Sequence, residues 1–138
     1  MKVLIDTDVC LDLLTLREPH GRPAQQLFAA VERRRARGFV TATSFIHIHY
    51  FLRKFAGAAV GAALADFRAL VDVLPVTERA VDLALEARWP DFEDAMQEQA
   101  ARLGGMDAIV TRNGRDYRRS RVRVLAPAEA LRALRKGS

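Results

Sequence analysis

The sequence predicts an α/β fold: one domain over residues 1–138, a small parallel sheet sandwiched by helices. Three observations carry that prediction. Short apolar runs alternate with longer stretches of helical period all along the chain, as strands joined by crossover helices do. The chain has 138 residues, half of them hydrophobic, enough for one core and too few for two domains. No repeat, low-complexity tract or linker interrupts the pattern.

Residues 2–5 form the first strand, an apolar run halted by Asp6-Thr7-Asp8. Residues 9–16 have a helical period with Asp12 to one side, and "REPHGR" (17–22) is a loop by its Pro and Gly. Residues 23–37 are expected to be helical, with Leu27, Phe28, Ala30 and Val31 on one face. That helix would carry Arg33-Arg34-Arg35 near its C-terminus, where cations complement the dipole, and Gly38 would stop it. Residues 39–42 make a second strand, and 44–55 and 58–70 two more helices, the first with Phe45, Ile48, Phe51 and Leu52 on one face. Residues 73–76 read as a strand that Pro75 confines to an edge. A helix follows at 78–87, and another from Pro90-Asp91 to about Leu103, closed by Gly104-Gly105. Residues 108–111 and 121–125 are the last strands, and 128–135 a closing helix.

The formal net charge is +5 and the pI about 10.1. Such a balance favours anionic partners such as nucleic acid, although it also serves plain solubility. Cys10 is the sole cysteine, so no disulfide can form within the chain and a reducing compartment suits it. Its apolar surroundings predict a buried small hydrophobe rather than a nucleophile. No run is long enough to span a membrane, and Asp6 cuts the first apolar stretch too short for a signal peptide. The expectation is a cytoplasmic protein with no membrane partner.

Acids stand at element ends in three separate segments. The first strand runs into Asp6 and Asp8. "WPDFEDAMQEQAA" carries Asp91, Glu93, Asp94 and Glu98 at a helix start, and "DAIVTRNGRDY" exits a strand into Asn113 and Asp116. In parallel sheets the carboxyl ends of the strands form the site, so these acids should meet at one edge. Clustered carboxylates repel unless a cation sits among them, and hard oxygen donors suit Mg²⁺ or Mn²⁺. Arg112, Arg115, Arg118 and Arg119 would draw in a phosphate backbone. Each acid also has an ordinary explanation. Asp91 can cap a helix, with Asp94 as its helix-start partner, and Asn113-Gly114 can be a hairpin turn that leaves Asp116 a solvated loop acid. Asp6, directly after a buried strand, is the least readily explained by capping.

The segments "VLIDTDVCLDLL", "FEDAMQEQAA" and "IVTRNGRDY", in this order and spacing, resemble the PIN-domain nucleases, and among them the VapC-type toxins of bacterial toxin–antitoxin pairs. The resemblance implies Mg²⁺- or Mn²⁺-dependent cleavage of RNA, a small antitoxin that occludes the site, and a homodimer. It implies that Asp6, Asp94 and Asp116 bind the metal and that Asn113 assists Asp116. Thr7 and Asp8 would hydrogen-bond the acids or the substrate. One departure stands out. The family usually has a Glu on the helix after the second strand, and His47 occupies that place in "VTATSFIHIHYFLRK". His47 can ligate Mn²⁺ or hold a metal-bound water, or be a structural histidine like its neighbour His49. Glu93, beside Asp94, can supply part of the missing charge.

Two other functions compete. A degenerate PIN-like module would bind RNA or a protein without cutting, and the missing Glu supports it. "VLIDTDVC" also resembles the Asp-x-Asp motif of haloacid-dehalogenase-like phosphatases, with Asp6 as nucleophile and Asp8 as acid, but that fold's later Lys-bearing loop and paired acids have no counterpart here.

Overall fold

The computed structural model describes residues 1–136. Five strands form one sheet in the order β3-β2-β1-β4-β5. They are β1 (Lys2–Ile5), β2 (Arg37–Thr41), β3 (Asp72–Leu74), β4 (Ala108–Val110) and β5 (Arg123–Leu125). Every neighbouring pair is parallel, with Val3 opposite both Gly38 and Ala108 in the central register. Parallel neighbours require crossovers, and the helices supply them: α1 (Thr7–Thr15), α2 (Gly21–Glu32), α3 (Ala42–Ala56), α4 (Val60–Leu70), α5 (Glu78–Ala87), α6 (Phe92–Leu103) and α7 (Pro127–Lys136).

Side chains alternate across a strand, and β1 divides the core accordingly. Val3 and Ile5 face one layer with Val9, Leu27, Phe28, Ile48 and Phe67, drawn from α1, α2, α3 and α4. Phe67 packs tilted against Phe28 and Phe45, with ring centroids 5.6 and 5.7 Å away. Leu4 faces the other layer with Ala100 and Ala101 of α6, Ile109 and Tyr117, and α5 covers α6. Strand order runs outward from β1 to β3, then returns to β4 and β5 on the other side. The switch point, where such folds open a crevice, is therefore the carboxyl end of β1 and β4.

The local reading needs four corrections. First, α2 ends at Glu32, and Arg33-Arg34-Arg35 form a turn beyond it, with Arg34 at φ 61°. The arginines are thus not the helix's last turn. Second, Gly38 is no stop signal: it lies inside β2, where a Cβ would meet Ile5 Cδ1 and Val31 Cγ1 at 3.2 Å each. Glycine there lets α2 sit close on the sheet. Third, Asn113-Gly114 is not a hairpin, because β4 and β5 are parallel; Gly114–Tyr117 is instead a 3₁₀ turn. Fourth, α1 starts at Thr7, and Asp6 caps it by accepting from Thr7 N at 2.8 Å. Capping does explain part of Asp6. The edge position of β3 holds, with Pro75 just past its end.

Candidate active site at the carboxyl edge of the sheet

Asp6 follows the last residue of β1 and is only 8% exposed. Its amide continues the ladder to Val110 O at 2.9 Å, so the carboxylate emerges beside β4. Neutral donors surround it. Gln97 Nε2 donates to Oδ1 at 2.7 Å, Thr111 Oγ1 lies 2.9 Å from Oδ2, and the Tyr117 hydroxyl 3.3 Å from Oδ2. Gln97 is fixed in turn, its Oε1 accepting from Thr41 Oγ1 at 3.1 Å and lying 3.3 Å from Ser44 Oγ. The Thr7 hydroxyl is spent on Ser44 Oγ at 2.7 Å.

Asp94 arrives from the first turn of α6. Asp91 caps that helix, its Oδ1 accepting from Asp94 N at 3.0 Å, which frees the Asp94 carboxylate to face the sheet. Its Oδ1 lies 3.2 Å from the Tyr117 hydroxyl that also touches Asp6. Asp6 and Asp94, 88 positions apart in sequence, thus share one phenol oxygen. Burial pushes the Asp94 carboxyl up to about 7, and the charges of Asp91, Asp6 and Asp116 add to the effect. Burial and the same two carboxylates also raise the Tyr117 phenol, so it is protonated at any ordinary pH.

Asp8 borders this pair. Its Oδ2 accepts from Arg112 N at 3.2 Å and Asn113 Nδ2 at 3.0 Å. Its Oδ1 is buried with no hydrogen-bond partner. Burial, then the charge of Asp6, pushes its carboxyl up to about 6. Asn113 therefore serves Asp8 with its side chain; toward Asp116 it offers only its carbonyl, which accepts from Asp116 N at 2.9 Å. Asp116 itself is exposed and lines a small cleft with Trp89, Asp91, Arg115 and Arg118. It stands at the rim, near enough to raise Asp94 electrostatically.

His47 lies on α3, exposed, with Nδ1 3.4 Å from Glu93 Oε1. Burial raises the Glu93 carboxyl, against the pull of His47, while Asp91 and Asp6 raise it further. His47 thus belongs to the acid edge and not to the core. Arg112 does not reach out for phosphate. Its guanidinium is paired with buried Asp12 of α1, Nη2 lying 3.3 Å from Oδ1. Arg115 is exposed and free of that constraint. Among the described residues, no three His, Cys, Asp or Glu side chains form a closed metal-binding group; the acids make a bridged pair with Asp8 beside it and Asp116 at the rim. Cys10 is fully buried, as expected.

Reading for charged groups missed Gln97, Tyr117 and Thr111. Gln97 carried a signal: three residues after Asp94, it falls on the same helical face. A tyrosine closing a polar loop also needs a partner for its hydroxyl once buried.

A family model described as the PIN domain matches residues 2–115. The chain belongs to the PIN domain family, and this membership removes the phosphatase reading. No curated protein matches it in sequence. Solved structures share its fold. A toxin–antitoxin complex from Klebsiella pneumoniae aligns with TM-score 0.71 at 18% identity, covering 91% of this chain and 97% of that one. DNA-bound VapBC from Salmonella typhimurium gives 0.70 at 19%, covering 92% and 98%. The sarcin-ricin-loop-cleaving toxin VapC20 of Mycobacterium tuberculosis gives 0.62 at 20%, covering 78% and 86%. Among the described residues, no helix is long and apolar enough to cross a membrane.

Proposed function

We propose that this chain is a divalent-metal-dependent endoribonuclease, the toxin of a toxin–antitoxin pair. The observation that carries the proposal is the meeting of Asp6 and Asp94 on one hydroxyl at the switch point of the sheet. The donor chemistry fits a hard cation. Carboxylates are drawn together in a part-buried site, where burial first and their mutual repulsion second push Asp8 and Asp94 toward their neutral forms, and one buried Asp8 oxygen has no partner. Mg²⁺ or Mn²⁺ would neutralise such a group. Asp6 and Asp94 would hold the ion, with Asp116 and Asp8 contributing from either side. When bound, such an ion polarises a phosphate oxygen and lowers the pKa of its water.

The chain's own groups do the remaining work. Gln97 and Thr111 fix the Asp6 carboxylate, and Tyr117 ties Asp94 to it. Preorganisation of this kind avoids rearrangement during the reaction. Arg115, beside Asp116 in the cleft with Trp89, is placed to take a backbone phosphate. The likeness to toxin–antitoxin structures supports an antitoxin as partner; a homodimer is the assembly this reading proposes. Exposed Ile46, Tyr50 and Phe55 along α3 give a protein partner apolar surface to cover. A cavity of about 510 Å³ beside Phe51 and Phe55 adds to that surface.

The test is cleavage of a mixed RNA by purified protein. Mn²⁺ or Mg²⁺ should support it, EDTA should stop it, and Asp94→Asn should abolish it. Cleavage that persists in EDTA or in Asp94→Asn would reject the metal-dependent mechanism. Sustained RNA or antitoxin binding with no cleavage under any metal would favour the non-cutting module instead.

A further inference from the structure

The turn after α2 joins three consecutive cations to a left-handed backbone position. Arg33, Arg34 and Arg35 are all exposed, and among the described residues no hydrogen bond or ion pair of their side chains is seen. Arg34 occupies the left-handed region at φ 61°, in a turn closed by Arg34 N to Val31 O at 3.0 Å and Arg35 N to Ala30 O at 2.9 Å. Helices that end this way usually place glycine at the left-handed position. An arginine there strains the backbone and, among the described residues, gains no side-chain hydrogen bond or ion pair in return.

The turn forms a ridge between two cavities. One, of about 560 Å³, is lined by Arg34, Arg37 and Arg68, with Glu32 and Asp72 as its acids. The other, of about 330 Å³, is lined by Arg33, Arg35 and Arg135. Asp72 is taken by Arg37 at 3.1 Å, so among the described residues lining the two cavities Glu32 is the acid left beside the three arginines of the turn. The topology fixes where this patch lies. Arg37 begins β2 and Asp72 begins β3, so the patch sits at the amino edge of a parallel sheet, opposite the acids. The five residues of β2 rise about 3.3 Å each, or roughly 13 Å end to end, and Thr41 at the far end bonds Gln97 in the acid site.

We infer that Arg33, Arg34 and Arg35 form a second phosphate-binding surface that holds the RNA backbone at the edge opposite the site of cleavage; Arg37, paired with Asp72, and Arg68, which donates to Val71 O at 2.8 Å, line the groove beside them. The inference rests on the ribonuclease reading for the identity of the nucleic acid. An RNA chain fits the patch better than a lipid surface or an acidic protein. Of the exposed large apolar residues among those described, Met1, bonded through its carbonyl to Arg37 N, and the single valine Val73, next to Asp72 in β3, lie beside it, while the larger anchors Ile46, Tyr50 and Phe55 stand on α3. Membrane-surface and protein-docking sites both need apolar anchors, whereas an arginine ridge between polar grooves needs only phosphates. A short RNA that reaches only the acids would not feel this surface. A longer one would gain affinity from it, and with that a preference for extended or folded substrates.

The experiment measures anisotropy of a fluorescein-labelled single-stranded RNA of about 20 nucleotides, in EDTA so that nothing is cut, across a NaCl series. Arg34→Gly should keep or raise thermal stability, because glycine relieves the left-handed strain, yet weaken RNA binding several-fold. The triple variant Arg33→Gln/Arg34→Gly/Arg35→Gln should weaken it by at least about tenfold and reduce the slope of log affinity against log salt by about 2. Arg79→Gln on α5 removes one exposed charge elsewhere and should do neither. With Mn²⁺ added, cleavage of a dinucleotide should be unchanged in the patch variants while KM for the longer RNA rises. RNA binding with parental affinity and salt slope in the triple variant overturns the inference. So does an equal loss in Arg79→Gln, which would reduce the effect to net charge, or a loss confined to anionic vesicles or an acidic peptide. Patch-dependent RNA binding by a parent that cuts nothing supports the phosphate surface and removes only the ribonuclease reading.

Discussion

A phenol has one hydrogen to give, and Tyr117 stands between two carboxylates while accepting from Gln97 at 3.0 Å. Tyr117→Phe leaves the ring packing intact but removes the donor between buried Asp6 and half-buried Asp94, so it should cost about 1–2 kcal/mol. Urea unfolding in EDTA checks this, and an unchanged midpoint would show that the bridge contributes nothing. Asp94→Asn acts in the opposite direction. Its amide oxygen still accepts from Tyr117, and Asp91 still caps α6. The folded chain holds the Asp94 proton up to about pH 7, whereas an unfolded aspartate releases it near 3.8. Stability from that proton is complete below pH 3.8 and is lost as pH rises through about 7. Asp8, raised to about 6, behaves alike. Without metal, the parent should therefore be less stable at pH 8 than at pH 5, and Asp94→Asn should narrow that difference while lowering Mn²⁺ affinity at least about tenfold. A parent equally stable at both values, measured by urea midpoints, would contradict the clustering. Asp6 and Asp94 were legible in the sequence because a carboxylate at an element end is conspicuous. Gln97 and Tyr117 were not, because an uncharged residue reveals its role only when the fold surrounds it with acids.

At the scale of elements, the strands were legible because apolar runs between turn signals leave little choice, and the closing glycines of α6 stand where they were expected. The Arg33–Arg35 turn was not, since a helical pattern continues through residues that tertiary packing of Ala36 and Gly38 draws into β2. Parallel pairing of β4 and β5 also lies beyond a local reading of Asn-Gly. The join between α1 and the exit of β4 is made by Asp12, 1% exposed, and Arg112. Asp12→Ala strands a guanidinium that is largely shielded from water, so it should cost about 2–4 kcal/mol. The double variant Asp12→Ala/Arg112→Ala should cost less than the sum of the two single changes. Strict additivity in denaturation midpoints would show that the pair does not couple. Replacing Arg112 should then lower RNA cleavage by displacing Asp8, which accepts from the Arg112 amide, without any contact with RNA.

Across the whole molecule, a parallel sheet separates charge by direction. Every strand carries its chain toward the edge where Asp6, Asp8, Asp94 and Asp116 gather, and starts from the edge where Arg33, Arg34, Arg35 and Arg37 stand. The net charge of +5 therefore conceals an acidic end, the one that under the proposed function a divalent cation and an RNA phosphate would enter together. An ion that binds only the folded chain stabilises it by mass action, about 2.7 kcal/mol at a hundred times its Kd. For a chain of this size that corresponds to a rise in Tm of roughly 10 °C. Mn²⁺ should produce this rise in the parent and in Arg34→Gly, whose altered residue lies at the far edge. It should produce little in Asp6→Asn or Asp94→Asn, and NaCl of equal ionic strength should produce none in any of them. This measurement needs no RNA and no cleavage, so it tests the acid edge apart from the reaction. Equal shifts in the parent and in Asp94→Asn would place the ion elsewhere on the molecule. Equal shifts with Mn²⁺ and NaCl would mean that screening of the clustered carboxylates, rather than a bound cation, is what stabilises the fold.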